Sequence, residues 1–332
     1  MKKAAIIGCG SISHVHARAL RNIDHAEIAA VCDTDISKGK SLSQQYTSGR
    51  AAIITDWQEL CQSDVEVVHI CTPHYLHTPM AVELLRHGKI VFMEKPCAIS
   101  RAQFEQLKQA DEMYPGKLGF CFQNRYNDTT QAINKMVEDG LIGDVIGARA
   151  FVTWRRDEDY YSASDWKGRW DTEGGGVLIN QSIHTLDLML NYLGVPQLVK
   201  ATMSNHHLEE SIQVEDTVEA WISFENGKRA CFYATNGYVT DAPIILELQG
   251  EHGTITMNGL QITTWTPQNG AELISFEKKD SIGKDYWGLG HEACIREFYE
   301  CLLQGREFGE NIRGVENTFD TMMRIYEAAG SK

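Results

Sequence analysis

The chain has 332 residues, 43% of them hydrophobic and 23% charged, which is long for one domain and ordinary for a two-domain globular protein. Its 45 acidic against 31 basic side chains leave a formal charge of −14, which repels polyphosphate backbones and argues against nucleic acid as a partner. No apolar run reaches the roughly 18 residues of a membrane span, and no apolar leader is read at the start, so neither a membrane nor export is expected.

In chain order, residues 3–8, 27–33, 51–54, 65–72, 89–94 and 117–122 are apolar and β-branched on consecutive positions. Strands buried on both faces look like this. Helical stretches at 12–22, 78–87 and 100–114 lie between them, the last with Ser100 as N-cap and Pro115-Gly116 as its stop. The alternation predicts an α/β domain over 1–121 with a doubly wound parallel sheet, the Rossmann pattern. A second, α+β domain is expected over 122–332. It opens with a helix near 129–139 and a strand at 144–155. An irregular aromatic and charged loop follows, then a helix after Gly174-Gly175-Gly176. Strands are read at 197–207, 217–224, 229–236, 243–249, 254–257, 260–266 and 272–276. Asn-Gly pairs at 226-227, 258-259 and 269-270 suit tight hairpins, so the sheet reads as mostly antiparallel. Helices near 289–304 and 315–328 close the chain, the terminal one free to pack back on the first domain.

Nine cysteines are scattered without a C-x-x-C pair. They read as small buried hydrophobes in a reducing cytoplasm, and no metal site is expected.

The first strand runs into Gly8-Cys9-Gly10-Ser11-Ile12-Ser13. Gly8 permits the turn, and Gly10 lets a pyrophosphate approach the backbone. The N–H groups of Ser11 and Ile12 at the helix start can point at phosphates. Asp33 ends the second strand, where a carboxylate binds the ribose 2′-OH and repels a 2′-phosphate, so NAD is expected over NADP. Thr72 and Pro73 end the fourth strand at the edge where open α/β sheets bind ligands. Glu94 and Lys95 leave the fifth strand there, and His77 and Gln123 complete the expected cofactor contacts.

Lys95 can hydrogen-bond a reacting oxygen and stabilise charge on it. On the helix after the glycine triple, Asn180, His184, Asp187 and Asn191 share one polar face at helical spacing. An imidazole titrates near neutrality, so His184 can take a hydroxyl proton as hydride leaves carbon. Trp154, Arg155, Trp166, Arg169 and Trp170 supply aromatic faces and charged forks suited to a polyhydroxylated ring. A folded surface loop could use the same residues.

Together these stretches resemble the Gfo/Idh/MocA family of sugar and polyol dehydrogenases. The resemblance rests on Gly8-Cys9-Gly10 with His16, Cys71-Thr72-Pro73 with His77, Glu94-Lys95-Pro96, and the glycine triple followed by His184 and Asp187. It implies a large open sheet in the second domain through which copies pair as a homodimer or homotetramer. It also implies Lys95 as anchor for substrate and nicotinamide, and His184 as general acid/base. In many members an aspartate stands four residues before that histidine. Here it is Asn180, which cannot accept a proton but can hold a sugar hydroxyl.

The expected function is oxidation of a secondary hydroxyl of a sugar, polyol or sugar derivative to a ketone, with NAD as cofactor and a small carbohydrate as partner. The alternatives are an NAD-assisted glycosidase of the same family and a non-catalytic sugar-sensing protein.

Overall fold

A computed structural model describes residues 1–277 and 290–330. The chain divides into two compact units. The first is Met1–Gln123 with the described part of Ser281–Val315, and the second is Asn124–Asp280 with Glu316–Lys332.

In the first unit, strands β1 (Lys2–Ile7), β2 (Ala26–Cys32), β3 (Ala52–Ile54), β4 (Val67–Ile70), β5 (Ile90–Met93) and β6 (Leu118–Phe120) form one sheet in the order β3-β2-β1-β4-β5-β6. Every pairing is parallel. The strands are separated by α1 (Ser11–Arg21), α2 (Ile36–Thr47), α3 (His74–Arg86) and α4 (Arg101–Met113). The order reverses between β1 and β4, which places the ligand-binding edge at the ends of β1, β2, β4 and β5. Ser100 caps α4 by accepting from Gln103 N, as read from sequence. The α2 segment, rich in Ser and Lys, carries little hydrophobic periodicity, and its sequence predicts no helix. Asp35 caps it by accepting from Ser37 N.

A later helix, Gly290–Gln304, also belongs to this unit and packs on α1. Its Phe298 ring lies 4.9 Å from that of Phe92 on β5, and Phe308 beyond the helix stacks edge-on to Phe298. Phe120 N donates to Glu310 O, which continues the sheet edge with chain from the far end of the sequence. The helix start read at residue 289 lies outside the described residues.

The second unit carries α5 (Asp128–Glu138), β7 (Val145–Thr153), α6 (Glu158–Ser162) and α7 (Ile183–Leu193). It continues through β8 (Pro196–Ser204), β9 (Thr217–Phe224), β10 (Arg229–Thr235), β11 (Ile245–Gly250), β12 (Thr254–Asn258), β13 (Gln261–Thr266) and β14 (Gly270–Ser275). With Gly290–Gln304 as α8, the last helix is α9 (Ile312–Ala328). The eight strands form one sheet in the order β14-β13-β12-β11-β7-β10-β9-β8. All pairs are antiparallel except β10 with β7. In the β9–β10 hairpin both Asn226 and Gly227 take positive φ, 63° and 80°, the pair that a tight turn of matching twist demands. One face of the sheet is covered, with α7 against β7. The other face aligns Lys200, Trp221, Cys231, Arg149, Glu247, Thr256, Thr263 and Leu273 in one row across all eight strands. Cys231 is the exposed exception to the expectation of buried cysteines; it follows the outward alternation of β10.

Candidate active site

The turn after β1 is built around Gly8, at φ +86°. A Cβ there would stand 2.6 Å from the Cys71 carbonyl oxygen, so no other residue fits without moving β4. At Gly10 an added Cβ would meet nothing within 4 Å. Gly10 is also the N-cap of α1 and supplies no side-chain hydrogen bond to the helix. The amides of Ser11 and Ile12 thus begin a helix beside open space, the arrangement that receives a phosphate. Asp33, just past β2, accepts from Cys9 N at 2.7 Å through Oδ2 and from Asp35 N at 2.8 Å through Oδ1. Its carboxylate is therefore tied to the glycine turn. These features fit a dinucleotide.

Thr72 and Pro73 lie between β4 and α3, partly exposed. His77 is buried in α3, with Nε2 2.9 Å from Thr72 O and Nδ1 2.9 Å from Pro96 O. It ties the loop after β4 to the loop after β5. Burial holds its imidazole below the usual range, so the ring donates to one carbonyl at a time.

Glu94 and Lys95 follow β5. Lys95 is half-buried and precedes a cis bond to Pro96. Its backbone N–H donates to Glu94 Oε2 at 3.3 Å, while Glu94 Oε1 lies 2.9 Å from His16 Nε2. His16 Nδ1 meets His69 Nδ1 at 2.9 Å, and His69 Nε2 meets the Tyr299 hydroxyl at 3.1 Å. Burial alone would discharge both His16 and Glu94. A hydrogen bond from His16 to Cys121, together with the hydrogen bond and attraction within the pair, outweighs that cost, so His16 is raised to about 9, while its bond and attraction to His16 bring Glu94 below the ordinary carboxylate range. Burial lowers His69 and His291, which stay neutral. Ligating atoms of His16, Glu94 and Cys121 lie within 4.8 Å of one another. Two tetrahedral ligands at ordinary bond lengths stand about 3.3 Å apart, so the 2.9 Å His16–Glu94 contact is a hydrogen bond. Gln123 is buried beyond β6, with Oε1 accepting from Cys121 Sγ.

In the second unit the glycine triple leads into a π turn, Val177–Ser182, before α7 begins at Ile183. The cause is local. A Cβ at Gly176 would overlap Glu215 O at 1.9 Å. Buried Glu215 accepts from Gly176 N at 2.9 Å, Leu178 N at 3.0 Å and the Tyr326 hydroxyl at 3.0 Å. The wider turn breaks the 3.6-residue spacing on which the single polar face rests. Asn180, half-buried, donates through Nδ2 to Glu173. His184 is buried in the first turn of α7. Asp187 accepts a bidentate pair from Arg125 at 2.8 and 2.6 Å and a bond from Thr318 Oγ1, and Asn191 is exposed.

The loop residues divide. Trp154 is buried, its Nε1 donating to Ala242 O. Arg156, not Arg155, is the buried guanidinium; it lies over the Trp154 and Tyr160 rings and donates to Asp241. Arg155 and Arg169 are exposed and lie near Asp157 and Asp171. Lys167 Nζ is 3.8 Å from the Tyr160 ring centre and 5.9 Å from that of Trp166. Trp170 is partly exposed, bonded to Gln213 O and edge-on to Tyr326. Sequence reasoning misses Glu173, Gln181 and Asn236. The one available signal is an acid placed directly before a glycine triple.

Residues 2–118 match the oxidoreductase family with an NAD-binding Rossmann fold, and residues 130–256 match the GFO/IDH/MocA C-terminal domain. The chain belongs to the Gfo/Idh/MocA family. Like other members, it is an NAD-dependent oxidoreductase. Its relatives in the family include the D-glucoside 3-dehydrogenase of Escherichia coli, 28% identical over 68% of this chain and 67% of that protein. The D-apiose dehydrogenase of Paraburkholderia graminis is 26% identical over 77% of this chain and 67% of its own length. Among solved structures, the WlbA dehydrogenase of Bordetella pertussis in complex with NADH and UDP-GlcNAcA superposes with a TM-score of 0.84. It is 25% identical and covers 99% of this chain and 97% of that one. Among the described residues no helix is long and apolar enough to cross a membrane.

Proposed function

We propose that the chain oxidises a secondary hydroxyl of a sugar, a polyol or a sugar derivative to a ketone. The carrying observation is Lys95. It leaves β5 at the same sheet edge as the Gly8 turn and Asp33, on a backbone tied to the buried Glu94–His16 pair. NAD supplies the hydride acceptor. Lys95 donates to the reacting oxygen and stabilises the negative charge that grows there. His184 takes the hydroxyl proton. Asn180, with Tyr160 and the stacked Lys167 near it, holds neighbouring hydroxyls. The substrate class draws support from the amides and aromatic faces of this cluster and from the D-glucoside and D-apiose dehydrogenases among the relatives.

The test is a spectrophotometric screen of D-glucosides, D-apiose, inositols and sugar acids with NAD and NADP in parallel. Accumulating NADH with a ketone product is expected. Release of an aglycone without net NADH would assign redox-assisted bond cleavage instead. Lys95→Met and His184→Asn should each lower kcat by roughly 10²–10⁴ while NAD affinity, read by fluorescence titration, stays unchanged. Full turnover in either variant removes that residue from the reaction.

We also propose that copies pair through the outward face of the eight-stranded sheet, where Leu198, Trp221, Trp265 and Leu273 are exposed.

A further inference from the structure

Glu173 is completely buried, yet its two oxygens face donors. Oε2 accepts from Gly168 N and Oε1 from Asn180 Nδ2, both at 2.5 Å. A side chain between two N–H groups must accept on both sides, which a carboxylate does and a carboxamide does not. Burial raises the Glu173 carboxyl to about 7, and its ionised form, which accepts from both donors, fixes the amide of Asn180 in one sense. With Nδ2 committed to Glu173, the carbonyl on the other side of Cγ turns away from it.

The neighbours continue the pattern. The Tyr160 hydroxyl accepts from Gln181 Nε2 at 3.2 Å and is also bonded to Asn180. Gln181 Oε1 in turn accepts from Asn236 Nδ2 at 3.1 Å. Asn180 and Tyr160 are the partly exposed members of this chain, and Glu173 and Asn236 are its buried ends.

We infer that Glu173 is a positioning residue of the sugar site: pinned by Gly168 N–H, it orients Asn180 so that residue 180 offers a substrate hydroxyl an acceptor and not a donor. The inference rests on the sugar reading above and deepens it. The ligand group it selects is a hydroxyl that donates its proton, and an analogue bearing only an ether oxygen there is rejected.

Reversing the polarity tests this. In Glu173→Gln, the new carboxamide still takes the Gly168 N–H on its oxygen, and its NH2 faces residue 180. Asn180 must flip, which keeps the bond and presents NH2 to the substrate. In Asn180→Asp two carboxylates meet and must share a proton. In the double variant the carboxamide at position 173 donates to the carboxylate at position 180, every bond is restored in reverse, and residue 180 again offers an acceptor. Melting temperature and steady-state kinetics with methyl β-D-glucoside, D-apiose and myo-inositol are read for all four proteins.

The expected result has three parts. Glu173→Gln melts near the parent but raises KM about tenfold or more, with a smaller change in kcat. Asn180→Asp loses both stability and activity. The double variant recovers its melting temperature, and its KM returns to within about threefold of the parent. Additive losses in melting temperature overturn the inference whatever the sugars do. So does a Glu173→Gln protein that loses stability but keeps its KM, which marks a merely structural acid. If none of the probes is oxidised while the melting temperatures still recover, the sugar reading fails and the pairing of 173 with 180 stands.

Discussion

Asp33 shows how much one side chain can decide. Its carboxylate is held by Cys9 N and Asp35 N at the end of β2, so its charge stays at the glycine turn where a ribose diol would sit. Asp33→Ser removes the charge. NAD should then bind roughly tenfold more weakly and NADP more tightly, measured as dissociation constants by fluorescence titration. An unchanged NAD preference would show that the selection lies elsewhere. His16 makes a second residue-level prediction. Folding raises it from 6.5 to about 9, so its contribution is complete below pH 6.5 and is lost as pH rises through about 9. Its partner Glu94 is depressed from 4.5, so that contribution is present above pH 4.5 and lost only in stronger acid. Between about pH 7 and 9.5 the melting temperature should fall by roughly 3 °C or more, and by less in His16→Gln. The position of Asp33 beside the glycine turn was legible because a strand end fixes its place. Glu173 was not, since the sequence interleaves acids and bases through 155–173 without marking which one is buried.

Among the elements, the β1–α1 turn separates fold from binding. Gly8→Ala forces a side chain into the Cys71 carbonyl at positive φ and should lower the melting temperature sharply. Gly10→Ala meets open space at φ −81°. It should melt like the parent yet lose most of its NAD affinity, because the methyl fills the room a pyrophosphate needs. Calorimetry and a cofactor titration on both variants decide it; equal losses of stability would refute the distinction. The strands of this unit were legible because β-branched runs buried on both faces leave no polar alternation. The π turn was hidden, because Val177-Leu178-Ile179 reads as ordinary apolar helix. The group that widens it, Glu215, is 37 residues from Leu178.

At the scale of the whole molecule, the outward face of the eight-stranded sheet exposes Trp221 at 42% and Trp265 at 49%, with Lys200 and Arg229 lying over the Trp221 ring. Exposed Leu198, Trp221, Trp265 and Leu273 set among charged and hydroxyl side chains suit a self-complementary contact. Light scattering should find a dimer or tetramer in the parent and a smaller species in Trp265→Lys; a monomeric parent would end the pairing proposal. The two-domain order and the antiparallel sheet were readable from periodicity and Asn-Gly turns. The return of 290–315 to the first unit was not, because an amphipathic helix shows that it has a partner without saying which. That return governs synthesis. The Rossmann sheet leaves the ribosome without Phe298, Phe308 and Glu310, which arrive roughly 170 residues later, about ten to thirty seconds at ordinary elongation rates. Throughout that interval the nascent sheet has an unfinished flank, so completion of the nucleotide-binding half waits for residues 290–315, and a stop codon just ahead of residue 290 should abolish it as completely as an early one.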